Sequence, residues 1–296
     1  MDSSPLFSVI IPTYHRNELL SQCLDCLSPG VQTLTSDQYE VIVTDDGSRT
    51  TAERLVVGRY GWAKWVVGPG KGPAANRNNG AKYAVGDWLA FVDDDCLPDP
   101  QWLKSYGEAI TANPDYLVFE GRVYADRPKL TLAEAAPIFE TGGYLPSGNF
   151  VCRKDIFESL GGFDERFPYA AMEDVDLRTR LLKAGHRFLF IREASVCHPW
   201  REKGNWKSLK RSQKSTFIYL SLHPEERSRI NSYRVLRMGL NILIRDTIPG
   251  ILKFKGRGIC KALLEHLSLI QGAFLLLRHH ADGSNTHNDT KSKSLK

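Results

Sequence analysis

The chain has 296 residues, 42% hydrophobic and 25% charged, with a net charge of +5. These are ordinary globular values, which exclude a collagen-like, wholly disordered or polytopic membrane protein and leave room for a large α/β sheet with a real core. The charge is unevenly spread: 20 Lys+Arg stand against 27 Asp+Glu before Arg201, and 19 against 7 from there on, so a body of −7 precedes one of +12.

Met1 to Phe7 has neither a basic start nor an apolar run, so no secretory leader is expected. Residues 7–11 are a β-branched run that Pro12 should stop, and 19–27 follow at helical spacing. Cys23 and Cys26 fall on the apolar face of that helix. With six cysteines in all and no second C-x-x-C, they read as small buried hydrophobes in a reducing compartment, not as a zinc or disulfide framework. Strands are predicted at 40–44, 64–67 and 88–92, with a helix at 77–85. Near-continuous apolar strands alternating with helices point to a doubly wound, largely parallel sheet covered on both faces. Ligands of such sheets bind beyond the carboxyl ends of the strands. The polar clusters Thr13-Tyr14, Asp45-Asp46-Gly47-Ser48 and Asp93-Asp94-Asp95 lie there.

After Pro100 the pattern predicts a helix at 101–111 and a strand at 117–123. A loop-rich stretch with Thr141-Gly142-Gly143 and Ser147-Gly148-Asn149 comes next. A short helix at 155–160 ends in Gly161-Gly162, and a helix at 173–184 opens with Glu173, Asp174 and Asp176 and ends at Gly185. A strand at 187–191 and an extended piece at 195–198 complete a domain of residues 1–200. A basic helical region, 201–280, and a Ser/Asn/Thr/Lys-rich tail, 281–296, expected to be disordered, follow.

Asp93-Asp94-Asp95 carries the strongest chemical signal. Three adjacent carboxylates repel one another, and a hard divalent cation would relieve that repulsion. D-x-D spacing on extended backbone would aim two of them at one ion; the plain alternative is a solvated acidic turn. Asp45-Asp46-Gly47-Ser48 is favourable turn chemistry, or a carboxylate for the imide N–H of a pyrimidine. The glycine-rich stretch 68–73 leads into Asn76-Arg77-Asn78-Asn79-Gly80, where backbone amides favour anions and Arg77 offers a bidentate phosphate partner. No Lys-Ser/Thr follows the glycines, so this is no Walker loop. The acids at 173, 174 and 176 either cap their helix or include a general base.

These segments, with Ser8-Val9-Ile10-Ile11-Pro12-Thr13-Tyr14, Gly161-Gly162-Phe163-Asp164-Glu165-Arg166-Phe167 and Met172-Glu173-Asp174-Val175-Asp176-Leu177, resemble family 2 glycosyltransferases of the GT-A fold. They occur in the family's order over residues 7–198. The resemblance implies a Rossmann-like catalytic domain and inverting transfer from a nucleotide sugar, usually a UDP-sugar, to a hydroxyl of a glycan or lipid-linked acceptor, with Mn²⁺ or Mg²⁺. By it, Pro12, Thr13 and Tyr14 line the base and ribose pocket, Asp45 or Asp46 holds the base, and Arg77 lies near the phosphates. Asp93 and Asp94 belong to the donor site. Asp95 is the direct metal ligand, with Asp93 and His198 as further ligands. Asp174 is the general base, kept ionised by the helix dipole, with Glu173, Gly148 and Asn149 near the base and acceptor. Asn76 departs from the family, which often has a small apolar residue there. No Gln-x-x-Arg-Trp follows the base, which argues against processive extension. A nucleotidyltransferase and a non-catalytic sugar- or partner-binding module on the same fold are the alternatives. The first would want a glycine- and lysine-rich loop after the first strand, the second would have lost the aspartates.

In the basic region, apolar stretches at 242–244, 248–252 and 262–277 are interrupted by Arg245, Asp246, Glu265 and His266. None reaches the ~20 uninterrupted residues of a spanning helix. Such helices suit the headgroup plane of an anionic membrane, on its cytoplasmic face. The plain alternative is packing on the catalytic domain or a second subunit. Nucleic acid is not expected as a partner, since no aromatic-rich basic motif is present.

Overall fold

The computed structural model describes residues 5–292, with side chains to residue 278. Its first elements are β1 (Phe7–Thr13), α1 (Asn17–Leu27), β2 (Tyr39–Asp45), α2 (Glu53–Arg59), β3 (Lys64–Val67), α3 (Pro73–Lys82) and β4 (Trp88–Val92). Then come β5 (Leu97–Pro98), α4 (Trp102–Ala112), β6 (Val118–Tyr124), β7 (Glu134–Ala135), β8 (Asn149–Arg153), α5 (Lys154–Ser159), α6 (Glu173–Lys183), β9 (Leu189–Cys197) and β10 (Arg201–Glu202). The remainder is helical: α7 (Trp206–Leu222), α8 (Ser232–Ile242), α9 (Ile248–Lys253) and α10 (Ile259–Ser292). The chain forms two compact units, Met1–Pro128 with Ala136–Trp200, and Lys129–Ala135 with Arg201–Lys296.

In the first unit an eight-stranded sheet runs β3-β2-β1-β4-β8-β6-β9-β5. β1, β2, β3 and β4 are mutually parallel, as the apolar runs predict. The other half is mixed, because β8 pairs antiparallel with both β4 and β6, and β5 antiparallel with β9. β8 lies where a loop is expected. Its Phe150-Val151-Cys152 run is only three residues long beside a Gly/Ser/Asn cluster, yet it is wholly buried between two strands. The two pieces expected at 187–191 and 195–198 are one strand, β9, with a register shift opposite Gly121/Val123. Nor does Pro12 end β1. Pairing with β4 stops at Ile10↔Phe91, while pairing with β2 runs on to Thr13↔Asp45. Thr13 O accepts from Asp46 N on the β2 side, so by alternation Pro12 faces the side where the ladder has ended and its missing N–H costs nothing. The core on one face joins Val9, Ile11, Val41, Val43, Ala90 and Val92 to Leu20, Cys23, Leu24 and Leu27 of α1. Cys23 is buried there and Cys26 partly so, both as free thiols.

In the second unit β7 and β10 form a two-residue antiparallel ladder. Asn205 caps α7 by accepting from Ser208 N at 3.0 Å, and Asn231 caps α8 by accepting from Arg234 N at 2.9 Å. A π-helical turn, Leu243–Thr247, joins α8 to α9. Contrary to the expectation from uninterrupted runs, Ile259–Arg278 of α10 is long and apolar enough to cross a membrane by length and composition. Its mean hydropathy is 1.4 over the most apolar part, and only 22% of that is buried. Single polar residues such as Lys261 and Glu265 dilute the apolar average without cancelling it. The tail expected over 281–296 lies beyond the described side chains, and residues 293–296 lie outside the described residues.

Candidate active site

Because β2, β1 and β4 are adjacent and parallel, their carboxyl ends put Asp45-Asp46, Pro12-Thr13-Tyr14 and Asp93-Asp94-Asp95 on one edge. Asn76, buried in α3, ties two of these ends together. Its Nδ2 donates to Thr44 O at 2.9 Å and Thr13 O at 3.3 Å, and its Oδ1 accepts from Thr44 Oγ1 at 2.6 Å. A small apolar residue could not do this. Pro12 is buried within β1, and Tyr14, 56% exposed, has its ring centroid 4.3 Å from that of His15 at a 57° tilt, His15 having a φ of +56°.

The two acids after β2 are not equivalent. Asp45 is buried and accepts from Gly47 N at 2.7 Å, Ala52 N at 2.6 Å and Trp65 Nε1 at 3.3 Å. It shapes the 45–52 turn and is not available to a base. Asp46 is half-buried and accepts from Gly70 N at 2.9 Å and Gly72 N at 3.0 Å. Burial pushes its carboxyl up against those two amides, which pull it down. The loop amides expected to meet phosphate thus serve Asp46. α3 also starts at Pro73, four residues before the predicted helix, with Gly72 at φ +99° as its cap.

Asp93, Asp94 and Asp95 also diverge. They form a turn, Cys96 N donating to Asp93 O at 3.1 Å, so the alternation expected of extended backbone fails. Asp93, expected beside Asp95 as a ligand, lies outside the Asp95–Cys96–His198 cluster, and its Oδ1 accepts from Arg77 Nη2 at 2.6 Å. A Cβ on Gly148 would approach Asp93 Oδ2 to 3.1 Å, so Gly148 serves as space for that carboxylate. Burial opposes ionisation of Asp93, but Arg77, Arg16 and His198 hold its carboxyl below the usual range. Asp94 is 0% exposed and turns inward, accepting from Thr13 Oγ1 at 2.7 Å and pairing with Arg16 Nη2 at 2.6 Å. It cannot face a donor, and burial pushes its carboxyl up to about 7. Asp95 Oδ2 accepts from Arg16 Nη1 at 2.9 Å. Sequence reasoning passed over Arg16; the available signal was a cation two residues beyond Tyr14 on the edge that carries the acids.

Arg77, expected near the phosphates, is 3% exposed, with Nη2 on Asp93 and Nη1 on Glu173 Oε1 at 3.1 Å and its buried Nε without a hydrogen-bond partner. One cation serves two acids. Asp93 takes the ionised role, while burial and the neighbouring Asp174 push Glu173 up to about 7, against the pull of Arg77. Glu173 therefore faces the interior, not an acceptor. Asp174 is half-buried, with Val175 N donating to its Oδ1 at 2.8 Å. Burial raises its carboxyl, the reverse of the shift expected from the helix dipole. α6 is held in place by Arg180, which pairs with Asp176 at 2.8 Å and donates to Leu160 O at 2.9 Å and Gly162 O at 2.7 Å. Asn78 of α3 grips the same turn, exchanging 2.8 Å bonds with Phe163 N and O. Asn149 is also structural. Its Oδ1 accepts from Trp102 Nε1 and Tyr106 Oη, both at 2.8 Å, and its Nδ2 donates to Arg122 O and Ala194 O, both at 2.9 Å. It has nothing left for an acceptor.

His198 is buried, with Nδ1 at 2.9 Å from Pro199 O. A carbonyl only accepts, so Nδ1 carries a proton and Nε2 is the nitrogen that faces Asp95 Oδ1, 3.6 Å away. A ligating histidine commonly donates its other N–H to a carbonyl, so Nε2 and Oδ1 are the atoms that would face a cation here. Cys96 Sγ lies within the same 4.8 Å cluster, but burial first, then Asp93 and Asp95, push its thiol up, which leaves it a poor ligand. Of the remaining donors, the carboxylate fits Mn²⁺ or Mg²⁺, while the imidazole is a poor ligand for Mg²⁺ and so favours Mn²⁺ of the two.

A nucleotide-type parallel half-sheet with acids and an imidazole at its strand ends, continued by a mixed half, is the arrangement of a GT-A glycosyltransferase. The family model described as Glycosyl transferase family 2 matches residues 8–198, and the chain belongs to that family. It is 28% identical over 213 residues to glycosyltransferase AglE of Haloferax volcanii, covering 68% of this chain and 69% of that protein. It is 36% identical over 178 residues to the pre-mycofactocin glycosyltransferase of Mycobacterium tuberculosis, covering 54% of this chain but 37% of that one. The crystal structure of S. aureus TarS 1-349 in complex with UDP-GlcNAc superposes with a TM-score of 0.53 at 20% identity, covering 72% of this chain and 66% of that TarS fragment, a likeness of fold.

Proposed function

We propose that this glycosyltransferase moves a sugar from a nucleotide-sugar donor, a UDP-sugar, to a hydroxyl of a glycan or lipid-linked acceptor by a single inverting displacement. The observation that carries the reading is the buried Arg77 bridge, which ties the acids after β4 to the start of α6 and so fixes Asp174 relative to the strand-end cluster. Pro12, Thr13 and Tyr14 border the nucleoside, and Asp46 is the acid on hand for the base. Asp95 and His198 would hold Mn²⁺ or Mg²⁺. When bound, that ion supplies charge neutralisation to the departing diphosphate. Asp174 takes the acceptor's proton as its oxygen forms the new bond to the anomeric carbon and the bond to the diphosphate breaks. Its raised carboxyl makes it a stronger base than a solvated aspartate. The test is release of free UDP from a panel of UDP-sugars with Mn²⁺, with and without excess EDTA. Turnover of a nucleoside triphosphate with a sugar phosphate instead would point to a nucleotidyltransferase, and activity undiminished by EDTA would remove the metal.

The second unit is proposed to meet an anionic membrane surface, which suits a lipid-linked acceptor and a place on the cytoplasmic face. Leu263, Leu267, Ile270, Phe274 and Leu277 form one exposed stripe along α10 at 3–4-residue spacing, Phe274 being 63% exposed. The charge of +12 from Arg201 onward complements anionic headgroups.

A further inference from the structure

We propose that Arg16, not Arg77, is the guanidinium that meets the donor's diphosphate; this rests on the nucleotide-sugar reading above. The site needs a cation for the phosphates, and Arg77 is poorly placed to supply it, since it is buried with both terminal nitrogens on Asp93 and Glu173. Arg16 is placed differently. Its inner side grips the acid cluster, through Nη2 on Asp94 Oδ1 at 2.6 Å, Nε on Asp94 Oδ2 at 3.2 Å and Nη1 on Asp95 Oδ2 at 2.9 Å. Only two of the five N–H bonds of the guanidinium are used as hydrogen bonds, one on Nε and one on Nη1; Nη2 meets Asp94 Oδ1 as an ion pair without hydrogen-bond geometry. The other three have no hydrogen-bond partner among the described residues, and the side chain is 42% exposed.

The geometry distributes the work on Asp95. Arg16 holds Oδ2, and the other oxygen, Oδ1, faces His198 Nε2 at 3.6 Å. A diphosphate held at Asp95 and His198 would lie beside a guanidinium with free N–H donors, and planar fork geometry suits two of its oxygens. Asp94 anchors the arrangement. Fully buried and held by Thr13 Oγ1 from the other side, it keeps Arg16 at the mouth of the site instead of letting it swing into solvent. Arg16 is the residue just before α1, whose first helical residue is Asn17, so its backbone is fixed by that helix start. A half-exposed, double-anchored arginine next to the ion's ligand is a diphosphate clamp.

The experiment uses the full chain as wild type, Arg16→Gln, Arg16→Lys and the double variant Arg16→Gln/Asp94→Asn, which removes the cation together with its buried anion and so keeps the fold testable. Calorimetry reads the affinity for UDP and for inorganic pyrophosphate in Mn²⁺, competition reads uridine, and electron paramagnetic resonance reads Mn²⁺ alone. Arg16→Gln and the double variant should bind UDP and pyrophosphate about 10- to 100-fold more weakly, the range of one or two charge-assisted bonds. Uridine and Mn²⁺ should stay within about threefold, and Arg16→Lys should fall between, keeping charge without the fork. Equal affinities for pyrophosphate in wild type and both glutamine variants would overturn this inference and leave the donor reading standing. So would a loss of uridine or Mn²⁺ as large as that of pyrophosphate, because Arg16 would then only shape the pocket or Asp95. A wild type that binds neither UDP nor pyrophosphate would overturn the donor reading and this inference with it.

Discussion

Asp174 and Glu173 are neighbours with opposite fates. Both are raised by burial, but Glu173 faces Arg77 indoors while Asp174 stays half-open. Asp174→Asn keeps the shape and removes the base, so kcat should fall by ~10²-fold or more with UDP affinity little changed. Because the base must be ionised, kcat of the wild type should rise with pH along a limb lying above that of an ordinary carboxylate. If Glu173→Gln were the dead variant and Asp174→Asn active, the assignment would be wrong by one residue. Glu173 has its own pH signature. A carboxyl pushed up to about 7 binds its proton more tightly in the fold than in the unfolded chain, whose value is ~4.3. Its stabilising contribution is whole below that unfolded value and is lost as pH rises through about 7. Glu173→Gln, a mimic of the protonated acid, should therefore flatten the decline of Tm between pH ~4 and ~7, and an unchanged slope would refute the burial argument. Removing Arg77 is the harsher change. Arg77→Leu strands two carboxylates against a buried pocket and should cost roughly 3–5 kcal/mol in urea unfolding.

Elements here are held to one another by single polar residues. Asn149 joins β8 to α4, β6 and β9 with four hydrogen bonds, so Asn149→Leu leaves two donors and two carbonyls without partners. The expected loss is at least ~3 kcal/mol, read as a lower urea midpoint. Nothing in Ser147-Gly148-Asn149 announced this, because burial of an amide is decided by which strands close over it. Gly72 is the counterpart at α3. Its φ is +99°, and a Cβ there would meet Pro168 O at 2.5 Å. Gly72→Ala should strain α3 by ~1–3 kcal/mol, read as a lower Tm, and should loosen Asp46, one of whose partners is the Gly72 amide. A Tm equal to that of the wild type would show that the turn can relax without cost.

For the whole molecule, the charge asymmetry gives a direct test of the membrane proposal. Full-length protein should float with vesicles of anionic lipid and not with neutral ones, and binding should weaken as salt rises. Leu267→Glu and Phe274→Glu, both on the exposed stripe, should weaken flotation several-fold while UDP-sugar hydrolysis persists. Binding that ignores lipid charge and both substitutions would favour a partner subunit on that face.

The sequence by itself determined the parallel half of the sheet and the edge that carries the site. Apolar runs such as 88–92 are local, and a polar cluster after each run marks its carboxyl end whatever the rest of the chain does. It also determined the family, through motifs whose order is linear. Only the tertiary structure decided which member of each acid group faces inward. Asp45 and Asp46, Asp93 to Asp95, and Glu173 and Asp174 are chemically alike in sequence, and their roles differ because burial, and a cation brought from elsewhere in the chain, act on each side chain separately. Arg16 lies 78 residues from Asp94, and Arg77 lies 16 from Asp93 and 96 from Glu173. β8 and Asn149 were illegible for the same reason: three apolar residues become a central strand only when β4 and β6 arrive on either side.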